Sequence, residues 1–174
     1  MTEPMPAWPD RIFEVLRRYD VAQVGFVPDA GHSRLIERCA ASNEVRAVTL
    51  TTEEEGIALL AGAWLGGRRG ALLMQSSGVG NCINMLSLAK NGRFPLLMLV
   101  TMRGQWGEFN PWQVPMGQIT EEVLRLAGVI TFAVDADADV EATVEAAARM
   151  AFEGPAATAV LLSQRLIGAK AFSR

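Results

Sequence analysis

Residues 70–81, GALLMQSSGVGN, join a short apolar run to a segment of glycine and serine. The run 70–75 is close to continuously apolar, which is typical of a strand buried on both faces of a parallel sheet. The residues that follow it, 76–81, predict a turn that opens a helix over 79–90. A buried strand that leads into a helix is the repeating unit of an α/β sheet.

The same unit recurs on both sides of this stretch. Apolar runs predict five further strands, at 22–27, 45–50, 95–101, 128–134 and 156–162. Apolar residues at helical spacing predict helices at 11–19, 33–42, 53–66, 118–127 and 138–152. Asp10 is the predicted cap of the first of these helices. This alternation predicts a doubly wound, mainly parallel six-stranded sheet with helices on both faces. At 174 residues the chain fits one domain over 1–174, with 1–10 irregular.

Composition narrows the class of function. Half of the residues are hydrophobic, 20 % are charged and the net charge is −3, without a basic cluster that would suit nucleic acid or an anionic membrane. Cys39 and Cys82 stand far apart in apolar patterns and predict buried, reduced thiols. We find neither a signal-peptide pattern nor an apolar run near the roughly 20 residues that span a bilayer, so we expect a cytoplasmic protein.

Ligands of open parallel sheets bind outside the carboxyl ends of the strands. Four segments follow predicted strands and are the candidates, namely 28–33 (PDAGHS), 51–56 (TTEEEG), 76–81 (SSGVGN) and 102–117 (MRGQWGEFNPWQVPMG). The last is long, irregular and rich in Gly, Pro and Trp, and loops of that length are usually functional. SSGVGN matches neither common nucleotide motif, so it predicts either a structural turn or backbone contacts to a ligand.

Three glutamates stand together at the start of the helix predicted over 53–66. Thr51 with Glu54, and Thr52 with Glu55, both fit a capping box, and negative charge there complements the helix dipole. Successive helical residues point about 100° apart, so at most one or two of the carboxylates can face one pocket. Glu53 is in line with Ile57, and Glu54 with Ala58 and Ala61. Periodicity leaves open which of them, if any, is an active-site acid.

Two further polar side chains follow strands. His32, the only histidine, lies beside Asp29 and Ser33, where it could transfer a proton or contact an anion; the alternative is a Ser33 N-cap with an incidental exposed histidine. Arg103 could hold an anionic group bidentately or be an ordinary surface arginine. Lys90 and Arg93 lie at the opposite end of the strand predicted over 95–101, so they are not site candidates.

Taken in order, TTEEEGIALLAGAWLGG (51–67), ALLMQSSGVGN (71–81) and PLLMLVTMRG (95–104) resemble the pyrimidine-binding domain of thiamine diphosphate enzymes. In that family a glutamate stands ten residues before an aromatic residue, and a later strand ends in an S-G-x-G turn. Trp64 takes the aromatic position, so the resemblance assigns the cofactor glutamate to Glu54 and leaves Glu53 and Glu55 as helix-start neighbours. It implies that Glu54 hydrogen-bonds the aminopyrimidine ring and favours the tautomer that removes the C2 proton of the thiazolium.

Further short motifs, VPD (27–29), AGAWLGG (61–67), Arg103-Gly104 and QVPMG (113–117), resemble the sulfopyruvate and phosphonopyruvate decarboxylases of this family. The resemblance implies the decarboxylation of a small anionic 2-oxo acid by an α-type subunit. It places Ser77, Gly78 and Asn81 in the cofactor pocket, and Asp29, His32, Arg103 and Gln113 in substrate binding or proton transfer.

The family also requires a G-D-G motif followed by Asn, which binds Mg²⁺ and the diphosphate, and this sequence contains no G-D-G. The resemblance therefore implies that a β-type subunit supplies those contacts and that the chain holds no metal itself. The acidic group Asp135, Asp137 and Asp139 predicts a cap for the helix at 138–152 instead. Two alternatives stay open. The first is carboligation, or decarboxylation of an apolar 2-oxo acid under a lid of Trp106, Phe109 and Trp112. The second is a ligand-binding module in which Glu54 only caps its helix.

Overall fold

The computed structural model describes residues 7–169. Its strands form one sheet, in which every neighbouring pair is parallel and the order is β2-β1-β3-β4-β6-β5. The strand bounds are β1 Val21–Phe26, β2 Arg46–Thr49, β3 Arg69–Gln75, β4 Leu96–Thr101, β5 Ile130–Val134 and β6 Ala157–Leu162. All six predicted strands are confirmed.

The helices follow the strands in alternation, as predicted, although several begin elsewhere than expected. Their bounds are α1 Trp8–Arg18, α2 Ser33–Ala41, α3 Glu53–Leu65, α4 Ser76–Cys82, α5 Leu86–Gly92, α6 Val114–Leu126, α7 Val140–Glu153 and α8 Gln164–Ile167. Short 3₁₀ turns precede α2, α6 and α7, at Ala30–His32, Pro111–Gln113 and Asp137–Asp139.

The helix predicted over 79–90 is two helices, and the predicted turn SSGVGN is itself helical. The break between α4 and α5 falls at 83–85, where the Asn84 carbonyl accepts from both the backbone N–H and the hydroxyl of Ser87. Such local hydrogen bonds compete with the helical ladder. The glycines of 76–81 therefore do not make a turn.

Proline advances the starts of two other helices. Pro9 occupies the first turn of α1 and Pro115 the first turn of α6, where a fixed φ and a missing N–H are tolerated. Asp10 thus lies inside α1 and pairs with Arg34 instead of capping. The segment predicted to be irregular over 102–117 is shortened to 102–113, including its 3₁₀ turn.

Two apolar layers enclose the sheet, because successive residues of a strand point to opposite faces. Leu73 and Leu99 pack with α1, α2 and α7, whereas Leu72 and Met98 pack with α3, α5 and α6. The central strand β4 is buried along its whole length, while the edge strands β2 and β5 are only partly covered. Cys39 and Cys82 lie in these layers, and burial raises the pKa of each thiol to about 12.

The crossing of the chain from β2 past β1 to β3 fixes where a site can form. It sends α2 and α3 to opposite faces and leaves a crevice at the carboxyl ends of the central strands. Across residues 7–169, no helix combines the length and the apolarity needed to cross a membrane.

Candidate functional site

The three glutamates at the start of α3 point in three directions. Glu53 turns inward, is 8 % exposed, and its Oε2 accepts a hydrogen bond of 2.9 Å from Nδ2 of Asn81. Glu55 turns back and accepts from the backbone N–H of Thr51 at 2.8 Å. Glu54 is exposed at the carboxyl edge of the sheet. The N-cap is Thr52, whose side chain makes no capping bond, so neither predicted capping box forms as written.

Gly78 lies directly against Glu53. A Cβ built on Gly78 would stand 2.5 Å from both Cδ and Oε1 of Glu53, closer than real Cβ contacts. Only glycine lets α4 approach the carboxyl this closely. The predicted cofactor-pocket residues Gly78 and Asn81 therefore both contact Glu53, and Ser77, half-buried, stands next to them in α4.

Asp29 anchors the loop after β1 to the end of β4. The hydroxyl of Thr101 donates to Oδ2 of Asp29 at 2.6 Å. A Cβ on Gly31 would stand 2.8 Å from Thr101 and 2.9 Å from Asp29, so the loop fits closely over β4. A cavity of about 170 Å³ opens here, and its lining includes Asp29, Thr101 and Arg103.

His32 lies behind this loop. Its imidazole is 1 % exposed, with Nε2 3.0 Å from the carbonyl oxygen of Leu99. Burial lowers the pKa of His32, while the negative charge of Asp29 acts in the opposite direction. The alternative of an exposed histidine beside a Ser33 N-cap is wrong, because His32 itself occupies the N-cap position of α2 and is buried.

Arg103 is buried, so its interpretation as a surface arginine is wrong. Its Nε and Nη2 donate to Oε2 and Oε1 of Glu108 at 2.6 and 2.7 Å. Nε2 of Gln164 donates to the same carboxylate, as do the backbone N–H groups of Gly104 and Asn110. These hydrogen bonds lower the pKa of Glu108 to about 2, and the bond from Arg103 has the largest effect. A substrate anion could therefore meet this guanidinium only at its other edge, which Nη1 and the second N–H of Nη2 form.

The segment after Arg103 is folded against the start of α6. Gly104, with φ +75°, lies against the backbone of Gln113 and Val114, and Gly117 lies against the carbonyl of Arg103. Oε1 of Gln113 is buried and has no hydrogen-bond partner within the described part of the chain. A buried acceptor without a partner is uncommon and suits a site that a polar ligand completes.

Aromatic side chains stand out from the same segment. Trp106, Phe109 and Trp112 are exposed, Trp112 by 83 %, and the guanidinium of Arg165 lies 4.1 Å from the ring centroid of Trp106. Large apolar side chains in one exposed segment often mark a surface that another molecule covers.

Several site residues were missed from the sequence. Ser76, whose Oγ accepts from the Arg103 N–H, was taken for part of a turn. Thr101 is the last residue of β4, and Gln164, whose Oε1 accepts from the N–H groups of Gln105 and Trp106, follows β6. Their position at strand ends was the available signal. Asp139 occupies the N-cap position of α7, as predicted, but its side chain makes no capping bond, and Asp137 pairs with Arg11 instead. Within 7–169, no group of three or more His, Cys, Asp or Glu side chains could hold a metal ion.

The fold and this edge define an α/β domain in which the exposed carboxylate of Glu54 stands at the start of α3 without a hydrogen bond to its own helix start. Residues 9–118 match the thiamine pyrophosphate enzyme family, N-terminal TPP binding domain, and the chain belongs to that family. Its resemblance to this family is thereby confirmed.

Relatives within the family carry more specific names. The chain is 36 % identical over 124 residues to sulfopyruvate decarboxylase subunit alpha of Methanococcus maripaludis, covering 71 % of this chain and 74 % of the relative. It is 42 % identical over 101 residues to the subunit of the same name from Methanothermobacter thermautotrophicus, covering 58 % and 61 %. It is 41 % identical over 108 residues to phosphonopyruvate decarboxylase of Streptomyces viridochromogenes, covering 61 % of this chain but 27 % of that protein.

A solved structure shares the fold at low sequence identity. It is 2-oxoglutarate:ferredoxin oxidoreductase from Magnetococcus marinus with 2-oxoglutarate, coenzyme A and succinyl-CoA bound, at a TM-score of 0.76 and 16 % identity. The match covers 93 % of this chain and 29 % of that one. The doubly wound α/β prediction is confirmed.

Proposed function

We propose that this chain is the α-type subunit of a two-chain, thiamine diphosphate-dependent decarboxylase of a small 2-oxo acid that bears a second anionic group. The observation that carries the proposal is the exposed carboxylate of Glu54, the one glutamate of the three whose side chain makes no hydrogen bond within residues 7–169. The names of the relatives, subunit alpha of sulfopyruvate decarboxylase and phosphonopyruvate decarboxylase, support the reaction and the class of substrate.

The residues present fit the aminopyrimidine half of the cofactor. Glu54 offers an exposed carboxyl that can share a proton with a ring nitrogen, and the half-buried Ser77 offers a hydroxyl at the start of α4. The bound cofactor supplies a carbon nucleophile and then an electron sink for the carbanion left when CO₂ departs. Glu54 holds and moves the proton that this activation requires.

The substrate would lie towards β4, in the cavity beside Asp29 and Arg103. The Nη1 and Nη2 edge of Arg103 and the N–H₂ group of Gln113 would bind the anionic group, and Asp29 would orient the acid or transfer a proton. The unpartnered Oε1 of Gln113 is an acceptor, so it could take a hydrogen bond only from a donor group of a ligand. Because His32 is buried against the Leu99 carbonyl, its role is to hold the loop that carries Asp29.

The partner subunit would cover the outward face of α3. Glu54, Ala58, Gly62 and Leu65 share that face, and Leu65 is 87 % exposed. A cofactor on Glu54 would thus lie between this face and the second chain. The β-type subunit supplies Mg²⁺ and the contacts to the diphosphate, an arrangement that the name subunit alpha in the relatives supports.

A second candidate is a reaction on an apolar 2-oxo acid, either decarboxylation or carboligation. The exposed side chains of Trp106, Phe109 and Trp112 favour it, because they could close as an apolar lid. The non-catalytic alternative, in which Glu54 only caps α3, loses support, since Glu55 and not Glu54 makes the backbone contact there.

The test is reconstitution with a candidate β-type chain, one that carries a G-D-G and Asn motif. Calorimetric titration with thiamine diphosphate and Mg²⁺ should show binding to the pair and not to the α-type chain alone. A panel of 2-oxo acids should release CO₂ fastest when the acid bears a sulfonate or phosphonate. Failure of the cofactor to bind with any such partner would refute the split-enzyme proposal, and preference for apolar acids would favour the second candidate.

A further inference from the structure

Glu53 has no role in the resemblance, yet it is the most constrained of the three glutamates. Its carboxylate is buried between α3 and α4, where Oε2 accepts a hydrogen bond from Asn81. Oε1 and Cδ lie against Gly78, in the space that a Cβ would occupy. A buried carboxylate is costly unless it is hydrogen-bonded, so an apolar residue would be the simpler filling at this place. The position therefore calls for an explanation beyond packing.

We infer that Glu53 is a positioning residue, which with Asn81 and Gly78 forms a clamp that aims Glu54 at the cofactor. The inference rests on the proposed function of Glu54. Glu53 is the first residue of α3, and Gly78 and Asn81 lie in α4, so the clamp joins the start of α3 to a helix that follows a different strand.

The direction of Glu54 follows from the clamp by helix geometry. Residues one position apart are rotated by about 100°, so fixing the Glu53 side chain inward fixes its neighbour outward. The bond from Thr51 to Glu55 restrains the same turn from the other side. With both neighbours held, the first turn of α3 has little freedom to rotate.

The clamp also revises the role of Asn81. Its Nδ2 donates to Glu53, so its amide is engaged in a contact with α3 and not in one with a cofactor. Gly78 has a parallel function, because its missing side chain makes room for the Glu53 carboxyl. Two of the three residues predicted for the cofactor pocket thus act through Glu53.

The steric part of the clamp can be tested on the chain alone. Gly78→Ala should lower the melting temperature, because the new Cβ collides with the Glu53 carboxyl. In a Glu53→Ala background that carboxyl is gone, and Gly78→Ala should instead raise the melting temperature, by about 2–4 °C from the better helix propensity of Ala. The same loss in both backgrounds would overturn the assigned contact.

The positioning part needs the reconstituted complex with thiamine diphosphate and Mg²⁺. The readout is the exchange rate of the cofactor C2 proton with D₂O, measured by acid quench and proton NMR. Glu53→Ala should slow exchange ~10- to 100-fold through misplacement of Glu54. Glu53→Gln keeps an acceptor for Asn81 and should restore a rate close to that of the unmodified complex, whereas Glu54→Gln should be the slowest.

Three results would contradict the inference. Exchange as slow in Glu53→Gln as in Glu54→Gln would make Glu53 itself a proton-sharing acid. Unchanged exchange in Glu53→Ala, together with a lower melting temperature, would reduce Glu53 to a purely structural residue. Unchanged exchange in Glu54→Gln would refute the proposed function itself, and with it any positioning role.

Discussion

The guanidinium of Arg103 and the carboxylate of Glu108 form a two-pronged ion pair, with N···O distances of 2.6 and 2.7 Å, in the interior of the 102–113 segment. Both partners are buried, and the same carboxylate gathers the N–H groups of Gly104 and Asn110. Glu108 thus organises the segment that carries Gln113 and the exposed aromatic residues. It also uses the Nε and Nη2 edge of the arginine, which leaves the Nη1 and Nη2 edge for a substrate contact.

Replacing Glu108 by Gln should destabilise the protein strongly at neutral pH. The change leaves a buried guanidinium without its counter-charge, which costs about 3 kcal/mol in the free energy of unfolding. Urea denaturation at pH 7 measures this quantity. Glu121→Gln is the matched control, because it removes the carboxylate of an exposed pair with Arg125 and should cost less than about 1 kcal/mol. Equal losses in the two variants would contradict a buried role for Glu108.

Low pH should lower the free energy of unfolding through protonation of the Glu108 carboxylate. The pKa of Glu108 is lowered to about 2 in the folded chain, below the 4.5 of a free glutamate, so its stabilisation is complete above about pH 4.5 and is lost as the pH falls towards 2. Glu108→Gln should flatten the fall in unfolding free energy over that interval. An unchanged slope in the variant would show that Glu108 titrates normally.

His32 should contribute a separate pH dependence at milder acidity. Burial lowers its pKa below 6.5, so the unfolded chain binds the proton more readily and stability falls as the pH drops below about 6.5. His32→Gln retains a donor that can reach the Leu99 carbonyl, and it should remove this loss between pH 7 and 5. Because the chain has one histidine, the interval is free of other imidazoles. A loss of equal size in the variant would contradict the assignment.

Gly117 and Gly62 provide a stability test of the loop packing on the isolated chain. A Cβ on Gly117 would collide with the Arg103 carbonyl, which is backbone and has little room to move, so Gly117→Ala should lower the unfolding free energy. Gly62 also lies inside a helix, but beyond that helix's own backbone no atom of the described residues lies within 4 Å of a Cβ built there, so Gly62→Ala should raise the unfolding free energy by about 1 kcal/mol. Stabilisation by both changes would show that the segment after Arg103 is not packed on α6.

Much of the fold could be predicted because its signals are local. Runs such as 70–75 and 95–101 carry the periodicity of buried parallel strands, and the helices between them carry their own. The observed starts of α1, α4 and α6 precede the predicted ones, because Pro9 and Pro115 occupy the first turns of α1 and α6 and the glycines of 76–81 are helical.

The site was less predictable, because its contacts join residues that are distant in sequence. Nothing in TTEEEG shows that Glu53 meets Gly78 and Asn81, and nothing around Arg103 shows that Glu108 folds back onto it. Periodicity alone left Glu53 and Glu54 equivalent. The resemblance chose Glu54, and the structure adds that Glu53 is engaged while Glu54 is exposed.

Under the proposed function, Glu54 activates a cofactor held between two chains. The most direct measurement is the rate of CO₂ release from sulfopyruvate by the reconstituted complex carrying Glu54→Gln, with Glu55→Gln as the matched neighbour. Loss of a positioned acid should lower kcat by about 100-fold or more in Glu54→Gln. Glu55→Gln, which keeps an acceptor for the Thr51 N–H, should stay close to the unmodified complex. Full turnover in Glu54→Gln would contradict the account.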